Sequence, residues 1–391
     1  MNIKIRESFL PIAVPDISDA EISEVIDALK SGWISVGPKV RELERIFAGI
    51  HKSKYALAVN SATSALFLVC KVMGIKPGNK VIIPSMTWPS TANVIEQLGA
   101  VPVFVDVERE TANITPRIVE EKIIESNKDV QLIIPVHMSG LPVDIDGFSR
   151  LSEKYSIPIL YDAAHAVFSE YRGEPVGKFG TASVFSFYAI KNITTGDGGI
   201  ITTDNEKLLE EISLWAYHGM NKDAWKRYSK EQASPHVQSM VPGYKFNMTD
   251  LNAAVGIAQL RRFKPLRDYR NELVRSYNEL FSGQDKIELP LFETGIQKWG
   301  NHVYGIRILD PGIKRDDFML KLKEFNIGTN IHFYPVHQHM YYREKYPGVK
   351  LPVTEWLGER LISLPLCTKH KKEDLKYVAD VINHILSSKE Y

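Results

Sequence analysis

One lysine of the chain lies between two apolar runs in the stretch VFSFYAIKNITTGDGGIITT, residues 184–203. This lysine, Lys191, is followed by two threonines, by a glycine cluster at 196–199 and then by the second apolar run. Short apolar runs bounded by turn residues predict strands. A surface lysine needs no such setting, whereas a lysine that reacts as a nucleophile needs a fixed, partly desolvated position. The stretch therefore predicts a reactive lysine in a tight turn.

A carboxylate follows another predicted strand, in the stretch IPILYDAAHA. The strand covers residues 157–161 and ends in Asp162, and ligands of open α/β sheets bind at the carboxyl ends of strands. An aspartate there, followed by small residues, suits a carboxylate that holds a protonated ring nitrogen. The alternative is an N-cap for a following helix. His165 is either a second polar contact or an ordinary satisfied histidine, and taken alone it favours the second interpretation.

A possible anion site lies where the strand at 56–59 runs into Asn60, Ser61, Ala62, Thr63 and Ser64. A helix is predicted to begin there, and the free N–H groups of a helix N-terminus attract a phosphate. An ordinary capped helix is the alternative, and it is the better interpretation of this stretch alone. Together, a phosphate anchor, a strand-end aspartate and a lysine beside glycines are the three requirements of a pyridoxal phosphate site.

Two other kinds of site are not expected. No GxGxxG motif follows a predicted strand, which argues against a nicotinamide dehydrogenase. His332, His337 and His339 lie close together in IHFYPVHQHMYY, but no carboxylate or cysteine stands at a familiar ligand spacing. We therefore expect no metal, and an aromatic, polar rim of a pocket instead.

The elements that must position these residues alternate over residues 55–203. Short β-rich runs separated by helical ones predict a mostly parallel sheet with helices on both faces. The two runs around Lys191 have no helix between them, so they are expected to form an antiparallel or edge part of that sheet. Residues 219–242 show no clear period and predict a functional loop or a disordered segment.

A smaller C-terminal α/β lobe is predicted after two helices in NMTDLNAAVGIAQLRR and RDYRNELVRSYNELFSG. HVYGIRIL, RDDFMLKLKEF and GTNIHFY give strand, helix and strand. We place a domain boundary near residue 260, which gives a large domain at 1–260 and a small one at 261–391. Which of the two domains the first ~50 residues belong to is left open.

The composition is that of a globular protein, with 44% apolar and 24% charged residues. The formal net charge is +1, which gives no drive toward nucleic acid or anionic membranes. The sequence contains no run long enough to span a membrane and no secretory signal, and its two cysteines form no CxxC pair. These features favour a cytoplasmic enzyme without nucleic-acid or membrane partners.

At the residues named above, the chain resembles the DegT/DnrJ/EryC1/StrS family of sugar-nucleotide aminotransferases. The resemblance runs through SGWISVGPKVRELERIFA, NSATSAL, PSMTWPST, IPVHMSGLPVDID, YDAAHA, FSFYAIKNITTGDGGIITTD and GYKFNMTDLNAAVGIAQL to SLPLC. It implies a fold-type I α/β enzyme that depends on pyridoxal 5′-phosphate. Within the family, NSATSAL, PSMTWPST, HGMNKDAW and IGTNIHF are most similar to the UDP-4-amino-4-deoxy-L-arabinose aminotransferase type.

The resemblance also implies a role for each matching residue. Lys191 would be the Schiff-base lysine and general acid/base, Asp162 would pair with the ring nitrogen, and His165 would contact the ring hydroxyl. Five further contacts follow from it: Trp88 would stack on the ring, Ala62, Thr63 and Ser186 would hold the phosphate, and Asn247 would reach the cofactor of a neighbouring subunit in a homodimer. Tyr188 and Asp197 depart from the family's usual His and Glu.

The activity that the resemblance implies is transfer of an amino group from L-glutamate to a nucleotide-linked 4-keto sugar, for synthesis of cell-surface polysaccharide or lipopolysaccharide. Substrate contacts are expected at Tyr188, Lys222, Arg227, His332 and Tyr334. A GDP- or dTDP-linked 4-keto-6-deoxyhexose or a 3-keto sugar is the alternative acceptor. Lys191 argues against the family's 3-dehydratase branch, which has histidine there. A ligand-sensing regulator is a further alternative, although no basic helix-turn-helix segment accompanies the fold.

Overall fold

The fold is an α/β arrangement around one large sheet, seen in a computed structural model that describes residues 3–220, 238–290 and 295–387. Its helices, in chain order, are α1 Asp19–Ser31, α2 Pro38–His51, α3 Ala62–Val72, α4 Ser90–Gln97, α5 Pro116–Glu125, α6 Ile145–Tyr155, α7 Glu206–Ala216, α8 Asp250–Arg261, α9 Phe263–Leu280, α10 Arg315–Glu324, α11 Met340–Lys345, α12 Pro352–Arg360 and α13 Lys372–Ser387. Its strands are β1 Tyr55–Val59, β2 Lys80–Pro84, β3 Val101–Val105, β4 Leu132–Ile133, β5 Leu160–Asp162, β6 Glu170–Tyr171, β7 Glu174–Pro175, β8 Ala182–Ser186, β9 Gly199–Thr203, β10 Ile287–Glu288, β11 Gln297–Lys298, β12 Tyr304–Ile308 and β13 Leu361–Leu364.

The large sheet has the strand order β3-β2-β4-β5-β8-β9-β1. Two parallel bridges, Ile133 to Ile159 and Val136 to Asp162, join its two halves between β4 and β5. Pairing is parallel from β3 to β8, whereas β9 is antiparallel to both β8 and β1. The predicted mostly parallel sheet is therefore confirmed. The two strands around Lys191 are antiparallel as expected, but β9 lies inside the sheet and β1 forms the edge.

Helices cover both faces of this sheet, as the apolar strands require. Along β2, Val81 and Ile83 pack into one hydrophobic core, whereas Ile82 packs into the other. Successive side chains of a strand point to opposite faces, so both faces are buried. This double burial explains why β2 reads as a continuous apolar run and not as an alternating one.

The smaller sheet, β10-β12-β13, is antiparallel and lies in the C-terminal part of the chain. The predicted strand in HVYGIRIL is β12 and the predicted helix is α10. The predicted strand in GTNIHFY is wrong, because residues 328–334 form only a single bridge, from Asn330 to Ser363. The strand that pairs with β12 there is β13, which the sequence interpretation did not assign.

The N-terminal segment contacts both parts of the chain. Helix α1 packs against α8, and the Gln259 side chain donates to the Asp16 carbonyl at 2.8 Å. Further along the segment, the Ile12 carbonyl accepts from the Leu366 N–H at 2.9 Å, and Arg6 forms a 2.6 Å ion pair with Asp374. The N-terminal segment therefore packs against both parts of the chain, with its α1 end on α8 and its first residues on the C-terminal region.

The domain boundary near residue 260 stays a prediction. Helices α8 and α9 are separated only by Arg262, so the chain passes this point without a linker. Among the described residues, no helix combines the length and the apolar character needed to cross a bilayer.

Candidate active site

A cavity of about 520 Å³ lies at the carboxyl ends of β5 and β8. One side, which we call the sheet wall, is formed by residues of the large sheet and its adjoining turns and helices: Ala62, Thr63, Trp88, Asp162, His165, Ser186 and Lys191. The opposite side, the C-terminal wall, is formed by residues of the last third of the chain: His302, Asn330, His332 and Phe333. Seven residues predicted from the sequence for cofactor binding thus line one cavity.

Lys191 lies in the turn that leaves β8. Its N–H donates to the Tyr188 carbonyl at 2.9 Å, which closes the turn. The side chain is partly buried, and among the described residues no carboxylate lies within 4 Å of its amine. Burial lowers the pKa of the Lys191 amine to about 8, against the opposing effect of the Asp162 carboxylate. About a tenth of the amine is therefore uncharged at pH 7, far more than for a lysine with the ordinary pKa.

Asp162 ends β5 and is only 4% exposed. Its Oδ2 accepts from the Thr91 hydroxyl at 2.8 Å, and its Oδ1 accepts from the Ala164 N–H at 3.1 Å. Burial raises the pKa of the carboxyl, against the opposing effect of these two hydrogen bonds. No α-helix begins after it, since residues 163–169 form turns, so the alternative interpretation of Asp162 as a helix N-cap is wrong.

The predicted anion site is the N-terminus of α3. Ser61 caps the helix, its hydroxyl accepting from the Ser64 N–H at 3.0 Å. Ala62 and Thr63 form the first turn, where backbone N–H groups have no acceptor within the helix. The backbone of β9 lies directly beneath, because a Cβ on Gly199 would come within 2.5 Å of the Ala62 nitrogen. Glycine at 199 is what permits this close approach.

Two rings on the sheet wall are available to a planar ligand. His165 is buried, and its Nδ1 has no hydrogen-bond partner among the described residues. Its pKa is lowered well below the usual value, first by burial and then by the Lys191 charge. Trp88, in contrast, is 62% exposed although it lines the cavity, with its ring centroid 5.9 Å from that of Phe333.

The predicted substrate residues are placed unevenly. Tyr188 and His332 line the cavity, and the His332 Nδ1 lies 2.8 Å from the Ser363 hydroxyl. Burial lowers the pKa of His332 to about 4. Tyr334 is exposed beside His339 and is not part of the lining. Lys222 and Arg227 lie outside the described residues.

Asn247, predicted to reach a neighbouring subunit's cofactor, is not part of the cavity of its own chain. Its backbone bridges to Val59, and its side-chain oxygen accepts from the Lys245 amine at 2.6 Å. Within the described ranges, no cluster of metal-ligating side chains is found. The His337 ring instead contacts the Ser85 hydroxyl at 2.7 Å and the Glu355 carboxylate at 3.3 Å, which are packing contacts.

Sequence reasoning missed the residues of the C-terminal wall other than His332. His302 precedes β12 in WGNHVYGIRI, and Asn330 and Phe333 lie in the segment wrongly predicted as a strand. It also missed Thr91 and Asn192, which support Asp162 and His302. Neither a strand end nor a helix start marks His302, and a lone histidine in a polar stretch carries no distinctive pattern.

Comparison with known proteins decides the family. The sequence model of the DegT/DnrJ/EryC1/StrS aminotransferase family matches residues 15–383. The chain belongs to this family. It is 42% identical over 387 residues to the uncharacterized protein MJ1066 of Methanocaldococcus jannaschii, covering 98% of this chain and 99% of that protein.

Solved structures agree in fold. Spr1654 of Streptococcus pneumoniae, described as a candidate sugar aminotransferase and solved in its pyridoxamine phosphate form, has a TM-score of 0.88 and 32% identity over 98% of this chain and 99% of its own. DesI, solved in the presence of its TDP-sugar product, has a TM-score of 0.85 and 28% identity over 98% and 94%. The protein is therefore a pyridoxal-phosphate-dependent aminotransferase of fold-type I, as the sequence predicted.

The residues that line the cavity fit this cofactor. Asp162 is a buried carboxylate with no cation within ion-pair distance in the described part of the chain, so a protonated ring nitrogen would satisfy it. The first turn of α3 offers amide donors for a phosphate, and the orphaned His165 Nδ1 offers a polar contact. The more specific resemblance, to UDP-4-amino-4-deoxy-L-arabinose aminotransferases, is not shown by these comparisons.

Proposed function

We propose that this enzyme transfers the amino group of L-glutamate to the keto group of a nucleotide-linked 4-keto sugar. The product would be a 4-amino sugar nucleotide for cell-surface polysaccharide or lipopolysaccharide. The observation that carries the proposal is the convergence of Lys191, Asp162 and the α3 N-terminus on one cavity of about 520 Å³. The TDP-sugar product of DesI supports a sugar nucleotide as the substrate class.

Lys191 is proposed as the group that moves the proton. When bound, pyridoxal phosphate supplies an electron sink for the pair left on a substrate carbon that loses a proton. Burial lowers the pKa of Lys191 to about 8, so that its amine can accept this proton near neutral pH and return it later. A lysine with an unshifted pKa would be almost fully protonated there.

Asp162 is proposed to hold the ring nitrogen in its protonated form. Thr91 and Ala164 each donate a hydrogen bond to one carboxylate oxygen, which fixes the orientation of the side chain. A negative charge in this buried position favours a positive partner far more than an exposed carboxylate would. The residue therefore supports the electron sink and also orients the ring.

Other residues of the sheet wall are proposed to make the remaining contacts with the cofactor. The Ala62 and Thr63 amides and the Ser186 hydroxyl would hold the phosphate, as a helix N-terminus does for anions generally. Trp88 would stack on the ring, and its exposure leaves a face free for that contact. His165 would contact the ring hydroxyl through the nitrogen that has no partner in the described residues.

The acceptor would lie against Tyr188 and His332, with Lys222 and Arg227 proposed to meet the diphosphate. We further propose a homodimer in which Asn247 of the partner subunit reaches the phosphate. A UDP-linked pentose is our first choice of sugar. A GDP- or dTDP-linked 4-keto-6-deoxyhexose, or a 3-keto sugar, is the alternative. The cytoplasmic location stays a prediction of the sequence.

Two spectra test the proposal. The visible absorption of the protein with pyridoxal phosphate is recorded before and after addition of L-glutamate, with D-glutamate as the control donor. We expect a visible band that only L-glutamate bleaches. The bleached protein is then offered UDP-, GDP- and dTDP-linked 4-keto sugars and a 3-keto sugar, and the true acceptor restores the band. A band that L-glutamate leaves unchanged would refute the donor, and restoration by no sugar would refute the acceptor class.

A further inference from the structure

His302 lies beside Lys191 at the junction of the two walls. It is 7% exposed, and its Nε2 lies 3.5 Å from the Lys191 amine nitrogen. This distance is long for a hydrogen bond, but contacts of catalytic groups are often long before the substrate binds and then shorten. Either the Lys191 amine or the His302 Nε2 could be the donor in this contact. Which of them donates depends on which ring nitrogen of His302 carries the hydrogen.

Asn192 settles that question. Its Nδ2 donates to the Gly300 carbonyl at 2.7 Å, and a carbonyl can only accept. The other end of the amide, Oδ1, therefore faces the Nδ1 of His302, at 2.8 Å. Because Oδ1 can only accept, the Nδ1 of His302 must carry the hydrogen. In a neutral imidazole this leaves Nε2 as an acceptor.

The imidazole is neutral in this position. Burial lowers the pKa of His302 well below its usual value, and the positive charges of Lys191 and Arg270 act in the same direction. Arg270 also fixes the backbone here, since its side chain donates to the Asn301 and His302 carbonyls at 2.8 Å each. The ring is thus held in one place, in one tautomer and in one charge state.

We propose that His302 is a positioning residue for Lys191, accepting a hydrogen bond from its amine in the tautomer that Asn192 imposes. An uncharged amine has two N–H groups and one lone pair. A hydrogen bond to His302 uses an N–H and leaves the lone pair for the cavity. The opposite tautomer would donate to the lone pair and block it. Asn192, adjacent to Lys191 in sequence, excludes that tautomer.

This inference rests on the proposed role of Lys191, and its test avoids turnover. The full chain, freed of cofactor, is treated with a trace of acetic anhydride from pH 6 to pH 10, and acetylation of Lys191 is compared by mass spectrometry with that of the exposed Lys321. The comparison gives the pKa and the intrinsic reactivity of Lys191 without any donor or sugar. A wrong sugar or donor leaves this result untouched.

His302→Phe and Asn192→Leu should each lower the intrinsic reactivity of Lys191 about tenfold, a loss of the size seen when a partner that orients a metal ligand is removed. The double variant should be no worse than His302→Phe alone, because Asn192 acts through His302. His51→Gln is the matched control, since His51 is also fully buried but lies away from the cavity. It should leave Lys191 unchanged.

Unchanged Lys191 reactivity in folded His302→Phe would overturn the proposal. Losses that multiply in the double variant would overturn the part assigned to Asn192. If His302→Phe does not fold, Asn192→Asp tests the same assignment. The new carboxylate would stabilise the charged imidazole, and Nε2 would then be a donor. We expect a lower Lys191 reactivity at each pH where the ring is charged, and an unchanged profile would refute the assignment.

Discussion

The two walls of the cavity are built differently. On the sheet wall, Asp162 ends β5, Ser186 ends β8, and Ala62 begins α3, so regular hydrogen-bonded elements set each position. On the C-terminal wall, His302 precedes β12, and Asn330 to Phe333 lie in irregular backbone held by one bridge and by side-chain contacts. The sheet wall carries the groups that suit the cofactor, and the C-terminal wall carries groups that suit a substrate.

The difference indicates how such an enzyme can change its substrate without losing its chemistry. Catalytic groups need fixed distances, which a sheet buried on both faces provides. Irregular segments tolerate substitution because few ladder hydrogen bonds depend on them. We therefore expect substitutions on the sheet wall to abolish the reaction. Those on the C-terminal wall, apart from His302 beside Lys191, should change mainly which sugar is used and how tightly it binds.

The largest effect is expected from Lys191→Ala. Without the amine, the three histidines of the cavity are poor substitutes for moving the proton, because His165, His302 and His332 have lowered pKa values and weak basicity. Transamination should fall below detection while the protein still folds. Stopped-flow absorbance with L-glutamate checks this, with Lys321→Ala, an exposed lysine of α10, as the control. Undiminished turnover would refute the assignment of Lys191.

Asp162→Asn should be the next most damaging change. The amide cannot carry the negative charge that favours a protonated ring nitrogen, and loss of one preorganised electrostatic contact typically costs about 100- to 1,000-fold in rate. The rate of the L-glutamate half-reaction measures it. Asp146→Asn, at a surface carboxylate paired with Arg172 at 2.7 Å, should have no effect. Equal rates for the two variants would contradict the role of Asp162.

Gly199→Ala tests the contact between β9 and α3. The added Cβ would lie 2.5 Å from the Ala62 nitrogen, so the first turn of α3 must move. Such overpacking costs about 1–3 kcal/mol of unfolding free energy, and cofactor affinity should fall with it. Gly49→Ala, at an exposed position of α2 with nothing near the new methyl group, should instead stabilise the protein by about 0.5–1 kcal/mol. Urea unfolding and cofactor titration compare the two.

The pH dependence of cofactor capture should follow Lys191. Its pKa is lowered to about 8, so the free amine predominates above pH 8, and the rate of capture should fall about tenfold per unit below it. His165, His302 and His332 stay uncharged there, because their pKa values are lowered. In Asp162→Asn the profile should move to lower pH, since the carboxylate raises the pKa of Lys191. A profile unchanged by that substitution would show that the two groups do not interact.

The smallest effect is expected on the C-terminal wall. His332→Asn removes one ring that faces the acceptor, and one hydrogen bond is worth about 0.5–1.5 kcal/mol, or about two- to tenfold in affinity. KM for the sugar nucleotide should rise by that factor, and the sugar half-reaction should change more than the glutamate half-reaction. A larger effect on the glutamate half-reaction would contradict the division of labour between the walls.

The same division explains what could be predicted from the sequence. Lys191 and Asp162 could be found because each follows an apolar strand, and Ala62 and Thr63 because a helix begins there. The stretch at 328–334 has the β-branched and aromatic composition of a strand, yet its residues face the cavity and Ser363 individually. No local pattern reports such contacts. His302 was missed for the same reason, since its partners lie 110 and 111 residues away.

The N-terminal segment has a consequence for the order in which the protein forms. Arg6, Ile12 and Asp16 are synthesised well before their partners Asp374, Leu366 and Gln259. Strand β1 likewise cannot pair until β9 has been synthesised, more than 140 residues later. During synthesis these N-terminal residues therefore lack their partners until the later segments are made, and the apolar residues of α1 and β1 are meanwhile exposed to aggregation or to chaperones.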